Sequence, residues 1–196
     1  SARGFNPSQA GNLRIAGLYF DQAATPNNRL VRGNAIHVGI SAQGYTFPAP
    51  TGVVDFDLRT PGNKFVTSVL AGHGALFGYF RSTVEIDTQI PVIKDVLSIG
   101  GGFGHQKNNV SQNAIGDDNY TASTIVRWTP SDVFSLTSFW SGAKAGANDG
   151  DRPRVFVGDN DAPTDYRQTD IGGPAWVFFG YTQQNYGAVA TAMLPD

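Results

Sequence analysis

The sequence predicts a mainly β protein in two parts: a compact domain over residues 1–62 and, over 63–196, the first antiparallel strands of a transmembrane barrel wall. Three observations predict it. Polar and apolar residues alternate over segments of about ten residues, which suits tilted strands crossing a bilayer. Connections between those segments are tight and long by turns. The chain also changes character at Arg59-Thr60-Pro61-Gly62, where short apolar runs broken by Gly, Asn and Pro give way to the alternating segments.

In 80–90 successive side chains point to opposite faces. Phe80, Ser82, Val84, Ile86, Thr88 and Ile90 share one face, and Arg81, Thr83, Glu85, Asp87 and Gln89 share the other. One such strand alone suits a soluble core sheet with a wet back, which is the commoner case. The pattern recurs, however. Over 95–105, Leu97, Ile99, Gly101 and Phe103 lie opposite Ser98, Gly100, Gly102 and Gly104, whose small side chains leave room for something packed against them. Tyr120, Ala122, Thr124, Val126 and Trp128 form the next apolar face, then Phe134, Leu136, Ser138 and Trp140. Residues 91–94 and 129–132 are tight connections, whereas 106–119 and 144–185 are long, polar and rich in Gly, Asn and Asp. Short turns at one end and long loops at the other favour a membrane barrel over a sandwich. The expected strands are 64–72, 77–90, 95–105, 119–129, 133–143 and 185–194, with both long loops on the same side.

Composition excludes some functions. Glycine is 24 of 196 residues, well above the usual share of about 7 %, and in strands it marks bends or close backbone approach. No cysteine is present, so disulfides and thiolate metal sites are out. A net charge of −2 gives no basic footprint for nucleic acid. No apolar run is long enough for a transmembrane helix, a test that barrels escape because half of each strand is polar. Ser1 carries neither an initiator Met nor a signal peptide, and nothing after Pro195-Asp196 returns to close a barrel, so the chain is expected to be a piece of a longer one.

Sites for chemistry are sparse. His37, His73 and His105 lack ligand spacing, and Asp149, Asp151, Asp159, Asp161 and Asp165 lack the order of an EF-hand loop, so no metal is expected. Gly100 to Gly104 lack the spacing and following helix of a dinucleotide loop. The sequons at Asn109 and Asn119 read as coincidental. With no acid pair or triad, neither an enzyme nor a cofactor is expected.

Four segments taken in order carry a resemblance: Ala2-Arg3-Gly4-Phe5, Leu13 to Leu18, Arg29-Leu30-Val31-Arg32-Gly33, and Thr51 to Pro61. They resemble the second half of the plug domain of TonB-dependent outer-membrane receptors, with Ala16-Gly17 where the family has Asp-Gly and Gly52-Val53 where it has a Gly pair. The resemblance implies a partial plug followed by the first strands of a barrel of about 22 strands whose lumen the plug fills. It implies the outer membrane of a Gram-negative bacterium, with membrane lipid, TonB (through a segment preceding this one) and a small-molecule or metal-chelate ligand such as a ferric siderophore as partners. Arg3 and Arg32 match plug positions that pair with wall glutamates, which would lie beyond Asp196. Apex loops 6–12 and 21–28 would offer Asn6, Ser8, Gln9, Asp21 and Gln22 to the ligand. Glu85, Asp87, Gln89 and Arg81 would face the plug, Phe80, Val84, Ile86 and Ile90 the lipid, and Trp128 and Trp140 would sit in the interfacial girdles. The alternative is a secreted or surface β-sandwich that binds carbohydrate by stacking on Trp140, Trp176 and Tyr181.

Overall fold

The computed structural model describes residues 12–21, 25–45, 52–76, 79–109, 117–145 and 181–193. It is mainly β, in two sheets. The smaller sheet holds β1 (Leu13–Ile15), β2 (Leu18–Tyr19), β3 (Val31–His37) and β4 (Val53–Leu58), in the order β2-β1-β4-β3. β1 and β2 form a tight hairpin through Ala16 and Gly17, both at positive φ (52° and 78°). That is the backbone a two-residue hairpin loop requires, and Gly17 adopts it without steric cost. β1 pairs parallel with β4 and β3 pairs antiparallel with it. A short 3-10 helix, Gly39–Gly44, follows β3.

The larger sheet is an antiparallel meander of β5 (Val66–Leu76), β6 (Tyr79–Ile93), β7 (Leu97–Asn109), β8 (Asp117–Ser131), β9 (Phe134–Ala145) and β10 (Tyr181–Ala192), each beside its sequence neighbour. These strands have up to 15 residues, whereas about five or six is usual. The turns at 94–96 and 132–133 fall at one end of the sheet, and the strand ends at residues 76, 79, 109, 117, 145 and 181 at the other.

Strand positions follow the sequence pattern, but the turns shift. Pro91 and Pro130 were expected inside turns, yet each belongs to a strand, beside a break in register (Pro91/Ile93 and Trp128/Ser131). Proline lacks the N–H that a ladder needs, so it is accommodated at a bulge just before the turn. β10 begins at Tyr181, paired with Ala145, four residues before the expected start at Asn185.

The core lies between the sheets. Leu13, Ile15, Leu30, Phe56 and Leu58 of the small sheet region pack against Ile125 and Phe139 of the larger sheet. Phe139 also lies over Gly187 on β10, where a Cβ would come within 2.8 Å of its ring. Among the described residues nothing comparable covers the opposite face of the larger sheet: Val69, Val84, Ile86, Ile90, Ile99, Phe103, Trp128 and Trp140 are all exposed.

Candidate functional site

The inner face of the larger sheet, where the small sheet docks, carries Arg81, Thr83, Glu85, Asp87 and Gln89 on β6. Gly100, Gly102 and Gly104 of β7 form a strip beside them, because Gln89 pairs with Gly100, Asp87 with Gly102 and Glu85 with Gly104. The strip is occupied. A Cβ on Gly100 would stand 3.3 Å from Pro61 Cβ, and one on Gly102 only 2.0 Å from Asp87 Oδ1 and 3.1 Å from Arg29 Cδ.

Arg29 is the ionic centre of this interface. Its guanidinium donates to Glu85 Oε2 (2.7 Å) and Asp87 Oδ2 (2.5 Å), with its side chain only 8 % exposed. Arg59 adds a second cation to Asp87 Oδ2 at 3.1 Å. A buried arginine is tolerated only when paired and hydrogen-bonded, and its planar fork meets two carboxylates here.

Asn27 fixes the turn that delivers Arg29. Its side-chain carbonyl accepts from the N–H groups of Arg29 (3.0 Å) and Leu30 (3.2 Å), while its amide donates to Ala122 O (3.0 Å) and Gly142 O (2.8 Å) on the larger sheet. Further along, Ser98 Oγ donates to Pro61 O, Gly62 N to Gln89 Oε1, and Gln89 Nε2 to Lys64 O. The link between the two sheets is thereby tied to the larger sheet it leads into.

Two clefts flank this contact. One, of about 350 Å³, opens at the end away from the tight turns, between the Arg29 turn and the inner face, and includes Arg81, Gln106, Asn108 and Asn119. The other, of about 570 Å³, lies at the tight-turn end between β3 and β4 and the strands β9 and β10, and includes Asp55, Asp57, His37, Tyr45 and Thr137. Asp55 anchors that second cleft: its carboxylate accepts from Gly17 N (3.0 and 3.2 Å) and Tyr45 Oη (3.1 Å). Burial chiefly, then the bond to Asp55 and that carboxylate's charge, raises the Tyr45 hydroxyl above its ordinary pKa, and Arg14 opposes the shift.

Arg32, whose expected wall partners would lie beyond Asp196, has a local partner within this chain. It pairs with Asp57 of the neighbouring strand at 2.5 Å, with side-chain exposures of 72 % and 52 %, and does not reach the larger sheet. The reason is a register break between Val31 and Gly33, which makes Arg32 the extra residue of a bulge. Arg29, three positions earlier, is the arginine that meets the larger sheet, through Glu85 and Asp87 of β6. Asp21 is exposed and lines neither cleft. Arg3, Asn6, Ser8, Gln9 and Gln22 lie outside the described residues, as do Trp176 and the aspartates of 149–165.

On the outer face Trp128 meets Phe134 edge to face at 5.9 Å near the tight turns. Trp140 lays its ring over Gly142, where a Cβ would come within 2.8 Å. At the far end His105 stacks on Tyr120 and bonds Asp118 at 2.8 Å. Among the described residues no group of three or more His, Asp or Glu side chains is placed to hold a metal ion. No protein-family model matches this chain, and no curated protein is significantly similar to it.

Proposed function

We propose that this chain belongs to a TonB-dependent outer-membrane receptor that imports a scarce solute, with residues 1–62 as part of the plug and 63–196 as the first strands of the barrel wall. The observation that carries the reading is the inverted polarity of the larger sheet. A sandwich turns its apolar faces inward and its polar faces to water. Here the inner face carries Arg81, Glu85, Asp87 and Gln89 beside the two core residues Ile125 and Phe139, and the outer face exposes Ile86, Ile99 and Phe103. That arrangement suits lipid outside and a polar plug inside. The stretch of β8 from Tyr120 to Trp128 is about 27 Å of extended chain, comparable with the apolar band of a barrel once tilt is allowed for.

On this reading the Arg29 cluster holds the plug against the wall, and TonB works from the side of the tight turns. The solute, a small molecule or metal chelate such as a ferric siderophore, enters from the long-loop side. Import of this kind needs positioning and gating but no covalent step, so no catalytic residue is assigned. The test is fractionation of the full-length protein: it should sediment with outer membranes and need detergent for extraction. Recovery in the soluble fraction without detergent would overturn the reading and favour a carbohydrate-binding sandwich.

A further inference from the structure

We infer that the cleft at the long-loop end binds an oxyanion on a hydroxylated solute, with Arg81 as the anchoring residue. The inference rests on the receptor reading above and assigns the chemistry of what enters.

Charge balance is the first argument. Arg29, Arg59 and Arg81 line the inner face against two carboxylates, Glu85 and Asp87, and both carboxylates are already held by Arg29 and Arg59. Arg81 has no carboxylate partner among the described residues, and it lines the cleft.

Orientation is the second. Arg81 Nε donates to Asn108 Oδ1 at 3.1 Å, and Asn108 is itself only 8 % exposed. A buried amide that holds Nε fixes the plane of the guanidinium and leaves both terminal nitrogens as a fork. Such a fork meets a carboxylate or a phosphate with two parallel hydrogen bonds.

Size and lining are the third. About 350 Å³ falls at the lower end of small-molecule sites. Gln106, Asn119 and Thr121 offer donors and acceptors suited to hydroxyl groups, with Tyr181 at the margin. Carboxylate and phosphate share this chemistry, so the experiment separates them.

The test uses the full-length protein in detergent and ligand-observed NMR with three probes on one scaffold: glucuronate, glucose 6-phosphate and glucose. At least one charged probe should bind roughly tenfold more tightly than glucose, the size expected of one charge-assisted bidentate contact. Arg81→Gln should erase that preference, so that the charged probes bind the variant no more tightly than glucose does. Whichever charged probe is favoured identifies the oxyanion. Equal binding of all three, binding of none, or a preference that survives in a folded Arg81→Gln protein would overturn the inference. If Arg81→Gln fails to fold, the wild-type comparison with glucose still decides. Outer-membrane sedimentation of the same preparation separates the two failures: loss of sedimentation sinks the receptor reading, and retained sedimentation without oxyanion preference sinks only this one.

Discussion

Asp87 lies where the side chain of residue 102 would be: a Cβ on Gly102 would stand 2.0 Å from Asp87 Oδ1. The missing side chain on β7 is therefore what allows the β6 carboxylate to lie flat on the sheet beneath Arg29. A glycine in a strand interior weakens the strand, and at this position the ionic contact between the two sheets offsets that loss.

Gly102→Ala should accordingly displace Asp87 and weaken its bond to Arg29, because Ile86 O and Arg29 Cδ, both 3.1 Å away, close the other directions. The expected cost is about 1–3 kcal/mol, as for overpacking elsewhere. Gly72→Ala on β5 meets nothing within 4 Å and serves as the control. Urea unfolding should separate the two variants; equal midpoints would show that Gly102 is not needed for space.

The two arginines of the R-L-V-R-G segment should behave differently. Arg29→Ala leaves Glu85 without its cation and Asp87 with only Arg59, at about 3 kcal/mol by the usual cost of breaking a buried pair. Arg32→Ala removes an exposed pair and should cost roughly 0.5 kcal/mol or less. Amide exchange of residues 27–37 should accelerate in the Arg29 variant alone. Faster exchange with Arg32→Ala instead would make Arg32 the arginine that holds the small sheet in place.

These arginines also mark how far the sequence could be read. Period-two alternation on β6 and β7 placed Glu85, Asp87 and the Gly100–Gly102–Gly104 strip on the inner face, because strand geometry leaves no other choice. It also implied that something packs on the strip. Which arginine of R-L-V-R-G meets it was out of reach, since Arg32 is the extra residue of a bulge and nothing in the segment announces one. Asn27 was equally hidden: its four hydrogen bonds join a local turn to carbonyls more than 90 residues away in sequence. The turn ends were displaced for a local reason, the tolerance of Pro91 and Pro130 at bulges.

Tyr45 gives a pH dependence with a definite sign. Its hydroxyl pKa is raised in the folded protein, so the folded state holds that proton more tightly than the unfolded chain does. The contribution is fully present below the unfolded value of about 10 and is lost as pH rises through the higher folded value. Tyr45→Phe should cost about 1 kcal/mol at neutral pH and make the alkaline loss of stability shallower than in the wild type. Parallel alkaline profiles for the two proteins would show that Asp55 does not depend on the Tyr45 hydroxyl.

The outer face supplies a test whose sign depends on the solvent. Phe103 is 47 % exposed on the apolar side of β7, whereas Thr137 points inward and lines the cleft of about 570 Å³. If lipid covers Phe103, Phe103→Arg places a charge in hydrocarbon at roughly 2–4 kcal/mol near the bilayer midplane. Thr137→Lys faces a polar cleft and should cost much less. If water covers Phe103, the order reverses, because replacing an exposed aromatic ring with a cation removes an apolar patch and loses little packing. Unfolding midpoints of both variants of the full-length protein in lipid vesicles should therefore show Phe103→Arg as the more damaged. The opposite order would mean that the apolar face of this sheet does not meet a bilayer.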